Sequence, residues 1–350
     1  MARIVILGAG VMGSAMAVPS AAKLHDIDLI GTHLDDAIIR SVQGNGLHPK
    51  LNIKLPSRVK ARFWTDLPAV DISDADLIIL GVSSAGVQWA IDRLVETLKR
   101  PVPMLMITKG LSPHPHGINT LPALVSHHLK TRLGFDVPVL AVGGPCIAGE
   151  LAAERDTMVV ITGHDHALLH RIIGLLDAPF YHARASSDVT GVEICAAFKN
   201  FFALGVGWAA GHFEQTDPVA NNAKMFNLAA GLFTQSVREL QVLSVALGGT
   251  SKSAEGLPGV GDLYVTSLAG RNSRMGRLLG LGHSYTDAKV HHMPGDTVEG
   301  AELALAVGPT LEAMWADGRL NPQAMPLARA IVDAICHGAI MKIDWAKFML

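Results

Sequence analysis

The sequence predicts an α/β N-terminal half, residues 1–186, followed by an all-helical C-terminal half, residues 187–350. Two observations support this prediction. Up to about Tyr181, short apolar runs rich in β-branched residues alternate with helical patterns, as expected for a sheet that is buried on both faces. From Thr190 onwards, long apolar stretches have helical spacing and contain few β-branched runs. We therefore expect two domains of different fold class.

The composition narrows the class of protein. Apolar residues make up 49% of the 350 residues and charged residues 17%, and the mean hydropathy is +0.31, which fits fully buried helices or a large subunit interface. No run approaches the roughly 18 apolar residues of a membrane helix, so no stable membrane insertion is expected. The net charge of −2 does not indicate nucleic-acid binding. The three cysteines form no CxxC pair, which favours a reducing, cytoplasmic location.

The most informative motif of the first half lies at the N-terminus. Arg3 to Leu7 is an apolar run that leads directly into Gly8-Ala9-Gly10-Val11-Met12-Gly13 and then into a helical pattern. In a GxGxxG between strand and helix, the first glycine allows a tight turn, the second lets a pyrophosphate approach, and the third lets helix and strand pack closely. The helix N-terminus attracts the anion. The motif predicts a dinucleotide-binding, Rossmann-like domain.

The residues after the second predicted strand, 27–31, leave the choice between NAD and NADP open. Thr32 and His33 stand where a ribose-binding acid or a 2′-phosphate-binding arginine is expected. Asp35 and Asp36 follow slightly later.

Further strands are predicted at α/β spacing: 76–82, 103–107, 137–142 and 157–161. Ligands bind beyond the carboxyl ends of such strands, so the loops that follow them line the expected site. Lys109 places a cation there, although an ordinary solvated loop lysine explains it equally well. The basic and aromatic segment 58–64 is predicted to be a solvated edge strand rather than a nucleic-acid patch.

Lys199 is the one charged residue between Glu193 and His212. Its neighbours at i−4, i−3, i+3 and i+4 are all apolar, so no local carboxylate can pair with it. A buried ammonium without a partner is costly, so either a distant acid supplies the counter-charge or this lysine performs proton chemistry in a cleft. The alternative is a lysine whose amine reaches the surface from a buried helix. A capping box at 190–193 predicts that this helix starts there.

A Gly-rich break, 256–266, interrupts the predicted helices 194–211, 219–247, 301–315 and 323–339. Asp262 within it is the candidate counter-charge for Lys199. Arg271 stands just before Asn272 or Ser273, either of which is a candidate N-cap for the next helix. An arginine beside a helix N-terminus is a good receptor for a phosphate. The alternative for this block is a flexible surface loop with a solvated basic end.

The histidines predict no metal site. Only His166 and His170 have the helical spacing of a metal-binding pair, and no carboxylate or cysteine pattern supports them. Surface histidines are the favoured interpretation, also for His291 and His292.

Together, these motifs resemble the NAD(P)-dependent glycerol-3-phosphate dehydrogenases over nearly the whole chain. The similar segments are GAGVMG (8–13), HPKLNIKLP (48–56), ITKGL (107–111), GGPCIAGELA (143–152), GVEICAAFKN (191–200), GLPGVGDLYVT (256–266), GRNSRMG (270–276) and VEG (298–300). In this order and spacing the set is specific. The resemblance implies a Rossmann-like domain, a helical domain like the C-terminal domain of 6-phosphogluconate dehydrogenase, a homodimer, and a site between the domains.

The resemblance also implies an activity, which is reversible NAD(P)H-dependent reduction of dihydroxyacetone phosphate to sn-glycerol 3-phosphate for phospholipid synthesis. By position, Lys199 is the proton donor and acceptor, and Asp262, Thr266 and Lys109 complete the catalytic set. The implied substrate-binding residues are Lys109, Gly144, Cys146, Asn200, Arg271 and Asn272. The implied cofactor-binding residues are Gly8, Gly10, Val11, Met12, Gly13, Thr32, Ser83, Ala148, Arg271 and Glu299.

Several positions depart from the common bacterial pattern. Thr32 replaces the usual arginine, which favours NAD slightly over NADP. Cys146 and Gly270 each replace a serine at the border of the implied substrate pocket. The alternatives are therefore the same fold acting on another polyol phosphate, for example a tetritol phosphate, or on a 3-hydroxy acid. A catalytically silent nucleotide sensor is the alternative from another class, and the intact catalytic set argues against it.

Overall fold

The computed structural model describes residues 1–114, 117–215 and 223–348. Of these, the residues within Met1–Lys109 and Leu121–Val189 form one compact unit. The residues within Gly110–Thr120 and Thr190–Leu350 form a second. The segment Gly110–Thr120 thus belongs to the helical unit, although it lies within the first half of the sequence.

The first half carries the strands and the second half most of the helices. The strands are β1 (Arg3–Leu7), β2 (Asp26–Ile30), β3 (Leu47–His48), β4 (Ile53–Lys54), β5 (Val59–Arg62), β6 (Leu77–Leu80), β7 (Met104–Met106), β8 (Leu111–His114), β9 (Gly117–Thr120), β10 (Val139–Gly143), β11 (Thr157–Thr162) and β12 (Tyr181–Ser186). The helices are α1 (Val11–Ala22), α2 (Asp36–Asn45), α3 (Val87–Thr97), α4 (Leu121–Leu133), α5 (Ala148–Ala152), α6 (His166–Leu176), α7 (Val189–Gln215), α8 (Phe226–Ala246), α9 (Lys252–Glu255), α10 (Asp262–Leu268), α11 (Arg271–Gly280), α12 (Tyr285–Asp287), α13 (Glu299–Ala316) and α14 (Pro326–Cys336).

Among the described residues, the first unit contains an eight-stranded sheet with the order β12-β11-β10-β7-β6-β1-β2-β5. Neighbouring strands are parallel except for β10 and β11, which are antiparallel. Across the sheet, the six strands β5-β2-β1-β6-β7-β10 follow the 3-2-1-4-5-6 order of a doubly wound nucleotide-binding sheet. The order reverses at β1, so the crevice for a nucleotide lies at the carboxyl ends of β1 and β6. The predicted Rossmann-like fold is confirmed.

The central strands are apolar throughout because both faces of the sheet are covered. Ile4 and Ile6 of β1 belong to a core cluster that includes residues of α1. Val5 and Leu7 point to the opposite face and belong to a cluster that includes residues of α3. This two-sided burial explains why β1 reads as a continuous apolar run in the sequence.

The predicted strands are confirmed to within two residues at each end, and the segment 58–64 contains the edge strand β5. The expectation that strands stop near Tyr181 is wrong, because β12 continues to Ser186 and pairs with β11. β12 forms the other edge of the sheet, and its side chains at Arg184 and Ala185 are exposed. An edge strand of this kind lacks the apolar run by which buried strands are recognised.

Helix α7 forms the centre of the second unit. Phe198, Phe201 and Phe202 are completely buried, and Phe201 meets both of the others within 5.4 Å between ring centroids. In the described part of the chain, α7 is the one helix long and apolar enough to cross a membrane, and 89% of its most apolar window is buried inside the protein. Its apolar surface is therefore accounted for by the core.

The predicted helices are present with different ends. Helix α7 begins at Val189, so Thr190 lies inside the first turn and is not the N-cap. Helix α8 begins at Phe226, and the predicted residues 219–222 lie outside the described part of the chain. Helix α14 spans only Pro326–Cys336, because a 3₁₀ turn precedes it and a proline at its first position sets the start.

Helices α7 and α11 pack against each other through glycines. A Cβ at Gly276 or Gly280 of α11 would lie 2.1 Å from a carbonyl oxygen of α7. A Cβ at Gly211 of α7 would lie 1.9 Å from the carbonyl oxygen of Arg277. Both helices therefore need glycine where they meet, and this close contact fixes the first turn of α11 beside the middle of α7.

A buried carboxylate holds the start of α14. Glu239 of α8 is 0% exposed and accepts hydrogen bonds from the backbone N–H groups of Leu327 and Ala328, at 2.8 and 2.7 Å. Leu327 in turn packs on Gly205 of α7, where a Cβ would lie 2.9 Å from its side chain. Burial raises the pKa of Glu239 to about 7, against the opposing effect of these hydrogen bonds.

Candidate active site

The predicted counter-charge of Lys199 is present. Lys199 is 8% exposed, and its Nζ donates a hydrogen bond to Oδ1 of Asp262, which is 2% exposed. The surrounding residues of α7, among them Cys195 and Phe202, are completely buried. The carboxylate spares the ammonium the cost of an isolated buried charge. The alternative of an amine that reaches the solvent is thereby excluded.

The local fold around Asp262 explains its position. The π-helical turn Leu257–Gly261 leads into α10, so Asp262 is the first residue of that helix, where a carboxylate is favoured. A Cβ at Gly259 would lie 2.1 Å from the carbonyl oxygen of Ala254, so this turn requires glycine. The hydroxyl of Thr266 donates to the backbone carbonyl of Asp262 at 2.7 Å. Thr266 therefore positions Asp262 through its backbone.

Asn272 links three helices beside this ion pair. Its Nδ2 donates to Oδ1 of Asn200 at 3.1 Å, and its Oδ1 accepts from the backbone N–H of Gly300 at 2.9 Å. Asn200 follows Lys199 on α7, and Gly300 lies in the first turn of α13. A Cβ at Gly300 would lie 2.1 Å from the carbonyl oxygen of Asn200, so the approach of α13 to α7 requires glycine. The amide of Asn272 is thereby fixed in orientation.

Arg271 is the first residue of α11, and its guanidinium forms an ion pair with Glu299, the first residue of α13. Both side chains are about half exposed, so the guanidinium can be reached by a ligand. The prediction that Asn272 or Ser273 caps this helix is wrong, since the N-cap is Gly270. Gly270 has a φ of 112°, a conformation that favours glycine, which accounts for glycine at this position.

The glycine loop of the first unit fits a dinucleotide. Gly8 has a φ of 111°, and a Cβ there would lie 2.7 Å from the backbone of Gly81, at the end of β6. A Cβ at Gly13 would lie 2.2 Å from the carbonyl oxygen of Gly8. A Cβ at Gly10 would meet nothing within 4 Å, so this glycine faces open space at the start of α1. The first and third glycines pack the loop, and the second leaves room for a pyrophosphate.

Two side chains that the sequence analysis did not assign hold this loop. Asp35 Oδ2 accepts hydrogen bonds from the backbone N–H of Ala9 at 3.1 Å, and from the backbone and hydroxyl of Thr32 at 2.8 and 2.9 Å. His48 is completely buried; its Nδ1 accepts from the backbone N–H of Leu51, so its Nε2 is the donor to the carbonyl oxygen of Ala9, at 3.1 Å. The sequence offered a signal for each residue. Asp35 lies a few residues past β2, and His48 begins the HPK segment that resembles the family.

The remaining predicted residues of the first unit lie in loops at the carboxyl ends of strands. Ser83 is exposed after β6, and Lys109 is half-buried after β7. The hydroxyl of Thr108 donates to the carbonyl oxygen of Val82 at 2.7 Å and joins these two loops. After β10, Gly144 has a φ of 123°, Cys146 is half-buried, and Ala148 opens α5. Val11 and Met12, which open α1, lie at the glycine loop.

Two family profiles together cover almost the whole chain. Residues 3–169 match the N-terminal domain of NAD-dependent glycerol-3-phosphate dehydrogenase, and residues 188–344 match its C-terminal domain. The NADP(+)-dependent glycerol-3-phosphate dehydrogenase of Archaeoglobus fulgidus is 32% identical over 81% of this chain and 81% of its own length. The glycerol-3-phosphate dehydrogenase [NAD(P)+] of Bacillus pumilus is 28% identical over 98% of this chain and 92% of its own length.

Solved structures give the same picture of the fold. The crystal structure of glycerol-3-phosphate dehydrogenase from Coxiella burnetii has a TM-score of 0.77 and 25% identity, and covers 97% of this chain and 96% of its own. The glycerol-3-phosphate dehydrogenase structure from Plasmodium falciparum has a TM-score of 0.82 at 18% identity, and covers 100% of this chain and 95% of its own. The second comparison shows the shared fold alone.

Proposed function

The chain belongs to the NAD-dependent glycerol-3-phosphate dehydrogenase family, and we propose that it reduces dihydroxyacetone phosphate reversibly to sn-glycerol 3-phosphate with a nicotinamide cofactor. The observation that carries this proposal is the buried Lys199–Asp262 pair beside the Asn200–Asn272 bridge. An ammonium that is held in place near polar amides, in apolar surroundings, suits proton transfer to a substrate oxygen. The cofactor is NAD or NADP, bound at the glycine loop between β1 and α1.

In the proposed reaction, Lys199 acts as the general acid. A reduced nicotinamide bound at the glycine loop would supply a hydride for the carbonyl carbon of the substrate. Lys199 gives one proton from Nζ to the carbonyl oxygen as negative charge develops there, and solvent then reprotonates the amine. Asp262 accepts a hydrogen bond from one of the three N–H groups of Nζ and so keeps the ammonium in place. In the oxidation direction the neutral amine takes the hydroxyl proton.

The phosphate of the substrate is assigned to Arg271 and Asn272. A guanidinium binds a phosphate through two parallel hydrogen bonds, and the N-terminus of α11, where Arg271 is the first residue, favours an anion. Glu299 is the present partner of Arg271, so the arriving phosphate exchanges with this carboxylate. Binding energy at the phosphate then orients the reacting carbonyl. Lys109, Gly144 and Cys146 remain proposed substrate contacts.

We propose a preference for NAD over NADP because a negatively charged side chain lies beside the expected position of the ribose. Asp35 places a carboxylate in the loop after β2, where it accepts hydrogen bonds from the backbone of Ala9 and Thr32. A carboxylate there favours a ribose hydroxyl and repels a 2′-phosphate. Thr32, Ser83, Ala148 and Glu299 remain proposed cofactor contacts.

The assembly and the compartment are also proposals. A homodimer is supported by the mean hydropathy of +0.31 and by large apolar side chains at the surface of the second unit, such as Phe226 at 73% exposure. A cytoplasmic location is supported by three cysteines without a disulfide, Cys146, Cys195 and Cys336. Light scattering on the purified protein tests the dimer, and a molar mass of 37.0 kDa would contradict it. The proposed domains are residues 1–186 for the nucleotide and 187–350 for substrate and dimerisation, although the described residues within Gly110–Thr120 belong to the second compact unit.

A spectrophotometric assay of NADH oxidation with dihydroxyacetone phosphate tests the activity directly. The same assay with NADPH, with a four-carbon ketose phosphate and with a 3-oxo acid separates the alternatives. If turnover is at least tenfold faster with another of these compounds, that compound is the substrate and dihydroxyacetone phosphate is not. If none of them is turned over, a nucleotide sensor is favoured. In Arg271→Lys, a raised KM for the phosphorylated substrate with a smaller change in kcat supports the phosphate contact.

Lys199→Met tests the proton-transfer role, because methionine fills the same space without a proton to give. Its kcat should fall by a factor of about 10²–10⁴, with nearly unchanged affinity for the nucleotide. Lys252→Met is the matched control, since Lys252 is an exposed lysine on α9 of the same unit and should keep full activity. If Lys199→Met retains activity within about tenfold of the wild type, the proposed role is wrong.

A further inference from the structure

The chain that connects α11 to α13 carries a cluster of potential metal ligands that the proposed reaction does not use. His283 stands just before the short helix α12, Asp287 ends that helix, and His292 ends the π-helical turn that follows. One ligand atom from each of the three side chains lies within 4.8 Å of the other two. The sequence analysis interpreted His291 and His292 as surface histidines and did not consider His283 or Asp287.

Two contacts show that the three side chains are arranged around one point. His283 Nδ1 lies 2.5 Å from Oδ2 of Asp287, within hydrogen-bond distance. The imidazole rings of His283 and His292 lie 4.4 Å apart between centroids, tilted by 53°. His291 is nearby, with Nε2 3.9 Å from Oδ1 of Asp287. A cluster of two imidazoles and a carboxylate is thereby gathered on ten residues of chain.

We propose that His283, Asp287 and His292 bind a divalent transition-metal ion of the Zn²⁺ type. Two imidazole nitrogens and one carboxylate oxygen form a common protein ligand set for Zn²⁺, with water or a further histidine in fourth position. In a tetrahedral site with bonds of about 2.0–2.2 Å, ligand atoms are roughly 3.4 Å apart, so a separation at the 4.8 Å upper limit would have to close by roughly 1.4 Å. Binding therefore requires the side chains to move together, and the metal takes the place of the hydrogen bond between His283 and Asp287.

The neighbouring cationic side chains form their hydrogen bonds with groups other than the three proposed ligand side chains. Lys289 Nζ donates to the backbone carbonyls of Met293 and Asp296. Arg274 of α11 donates to the carbonyl of His292 at 2.8 Å and pairs with Asp296 at 3.4 Å. Both cations are thus engaged with the loop that follows the cluster. His283 and Asp287 are half-buried and His292 is exposed, so an ion can enter from solvent.

The expected role of the metal is structural. The ion ties the end of the connection at His292 to its beginning at His283, and Arg274 joins His292 to α11. This connection leads directly into Glu299 and Gly300, which contact Arg271 and Asn272. Metal binding therefore stabilises the folded helical unit by mass action, without a part in the chemical step.

The test uses the untagged full-length protein, freed of metal with a chelator that is then removed. Zn²⁺ is titrated in competition with a chromophoric chelator, and one Zn²⁺ per chain is expected. The apparent Kd should rise at least tenfold in His283→Asn and in His292→Asn. Co²⁺ should give the visible absorption of a four-coordinate ion in the wild type and not in these variants. Zn²⁺ should raise the Tm of the wild type and should raise it much less in these two variants.

The matched control is His166→Asn combined with His170→Asn, because these residues have the i,i+4 spacing of a metal pair on α6. This control should bind Zn²⁺ like the wild type. All variants should reduce substrate at the wild-type rate when metal-free, which shows that they are folded. The proposal is overturned if the wild type binds no Zn²⁺, if the double variant His283→Asn with His292→Asn binds it equally well, or if the control loses as much affinity. These outcomes do not depend on which substrate the enzyme reduces.

Discussion

The carboxylate of Asp35 accepts a hydrogen bond from the backbone N–H of Ala9, although the two residues are 26 positions apart and follow different strands. Ala9 is the middle residue of the first Gly-Ala-Gly turn, and its carbonyl accepts from His48. Both polar groups of this peptide are therefore fixed by side chains from later in the chain. The glycine loop is held in its shape before any nucleotide binds, which lowers the conformational-entropy cost of binding.

Asp35→Asn should relax the preference between the two cofactors. Asparagine keeps an oxygen that accepts from Ala9 but removes the negative charge that repels a 2′-phosphate. We expect the ratio of kcat/KM for NADPH to that for NADH to rise by about fivefold to tenfold, or roughly 1 kcal/mol. Asp36→Asn is the control, since Asp36 pairs with Arg40 on the surface of α2. An unchanged ratio in Asp35→Asn would show that this carboxylate does not govern cofactor choice.

His48→Phe should weaken the binding of both cofactors equally. The substitution keeps a ring in a fully buried position but removes the bonds to Ala9 and Leu51, so the Ala9 carbonyl keeps only the hydroxyl of Ser14 as a side-chain donor and the part-buried N–H of Leu51 loses its bond to His48. We expect the free energy of unfolding to fall by about 1–3 kcal/mol and the Kd of NADH and NADPH to rise by the same factor. Fluorescence titration with each nucleotide measures this. A change for one cofactor only would contradict a role in holding the loop.

Gly276→Ala should separate α7 from α11. The new Cβ would lie 2.1 Å from the carbonyl oxygen of Leu204, a backbone atom that cannot rotate away. We expect a loss of about 3 kcal/mol in the free energy of unfolding and a higher KM for dihydroxyacetone phosphate, because Asn272 shifts with α11. In the control Gly231→Ala on α8, the new Cβ meets nothing within 4 Å, so stability should rise by up to about 1 kcal/mol. Equal effects of the two substitutions would disprove the packing argument.

Glu239→Gln should change how stability depends on pH. The folded-state pKa of Glu239 is about 7, above the ordinary value of 4.5, so between these values the folded protein binds more protons than the unfolded chain. The contribution of Glu239 to stability is therefore fully present below pH 4.5 and is lost as pH rises through 7. Its slope is at most about 1.4 kcal/mol per pH unit.

Urea unfolding of wild type and Glu239→Gln at several pH values from 5 to 8 measures this contribution. The stability of the wild type relative to the variant should fall as the pH rises, since glutamine does not titrate. At pH 5 the variant should be the less stable protein, because its side chain keeps only one oxygen for the N–H groups of Leu327 and Ala328. A relative stability that rises with pH would mean that the helix N-terminus favours the ionised carboxylate.

The sequence by itself determined the features that depend on local chemistry. β1 could be recognised as a continuous apolar run because both of its faces are buried. The GxGxxG could be recognised because each of its glycines is required by the backbone or the ligand next to it. Lys199 could be singled out because a helix surrounds it with apolar neighbours, and Asp262 because it was the acid set among glycines. These signals lie within a few residues of one another along the chain.

Only the tertiary structure decided the contacts between distant segments. Asp35 and His48 meet at Ala9 because the loop after β1 lies beside the loop that follows β2 and beside the strand β3. The glycines of α7 and α11 meet because these helices cross. The spacing of the glycines within one helix does not indicate which other helix it contacts. The same holds for the cluster of His283, Asp287 and His292, which forms only when the chain folds back between two helices. Pairing of this kind depends on the free energy of the whole packed unit, which no local pattern of residues records.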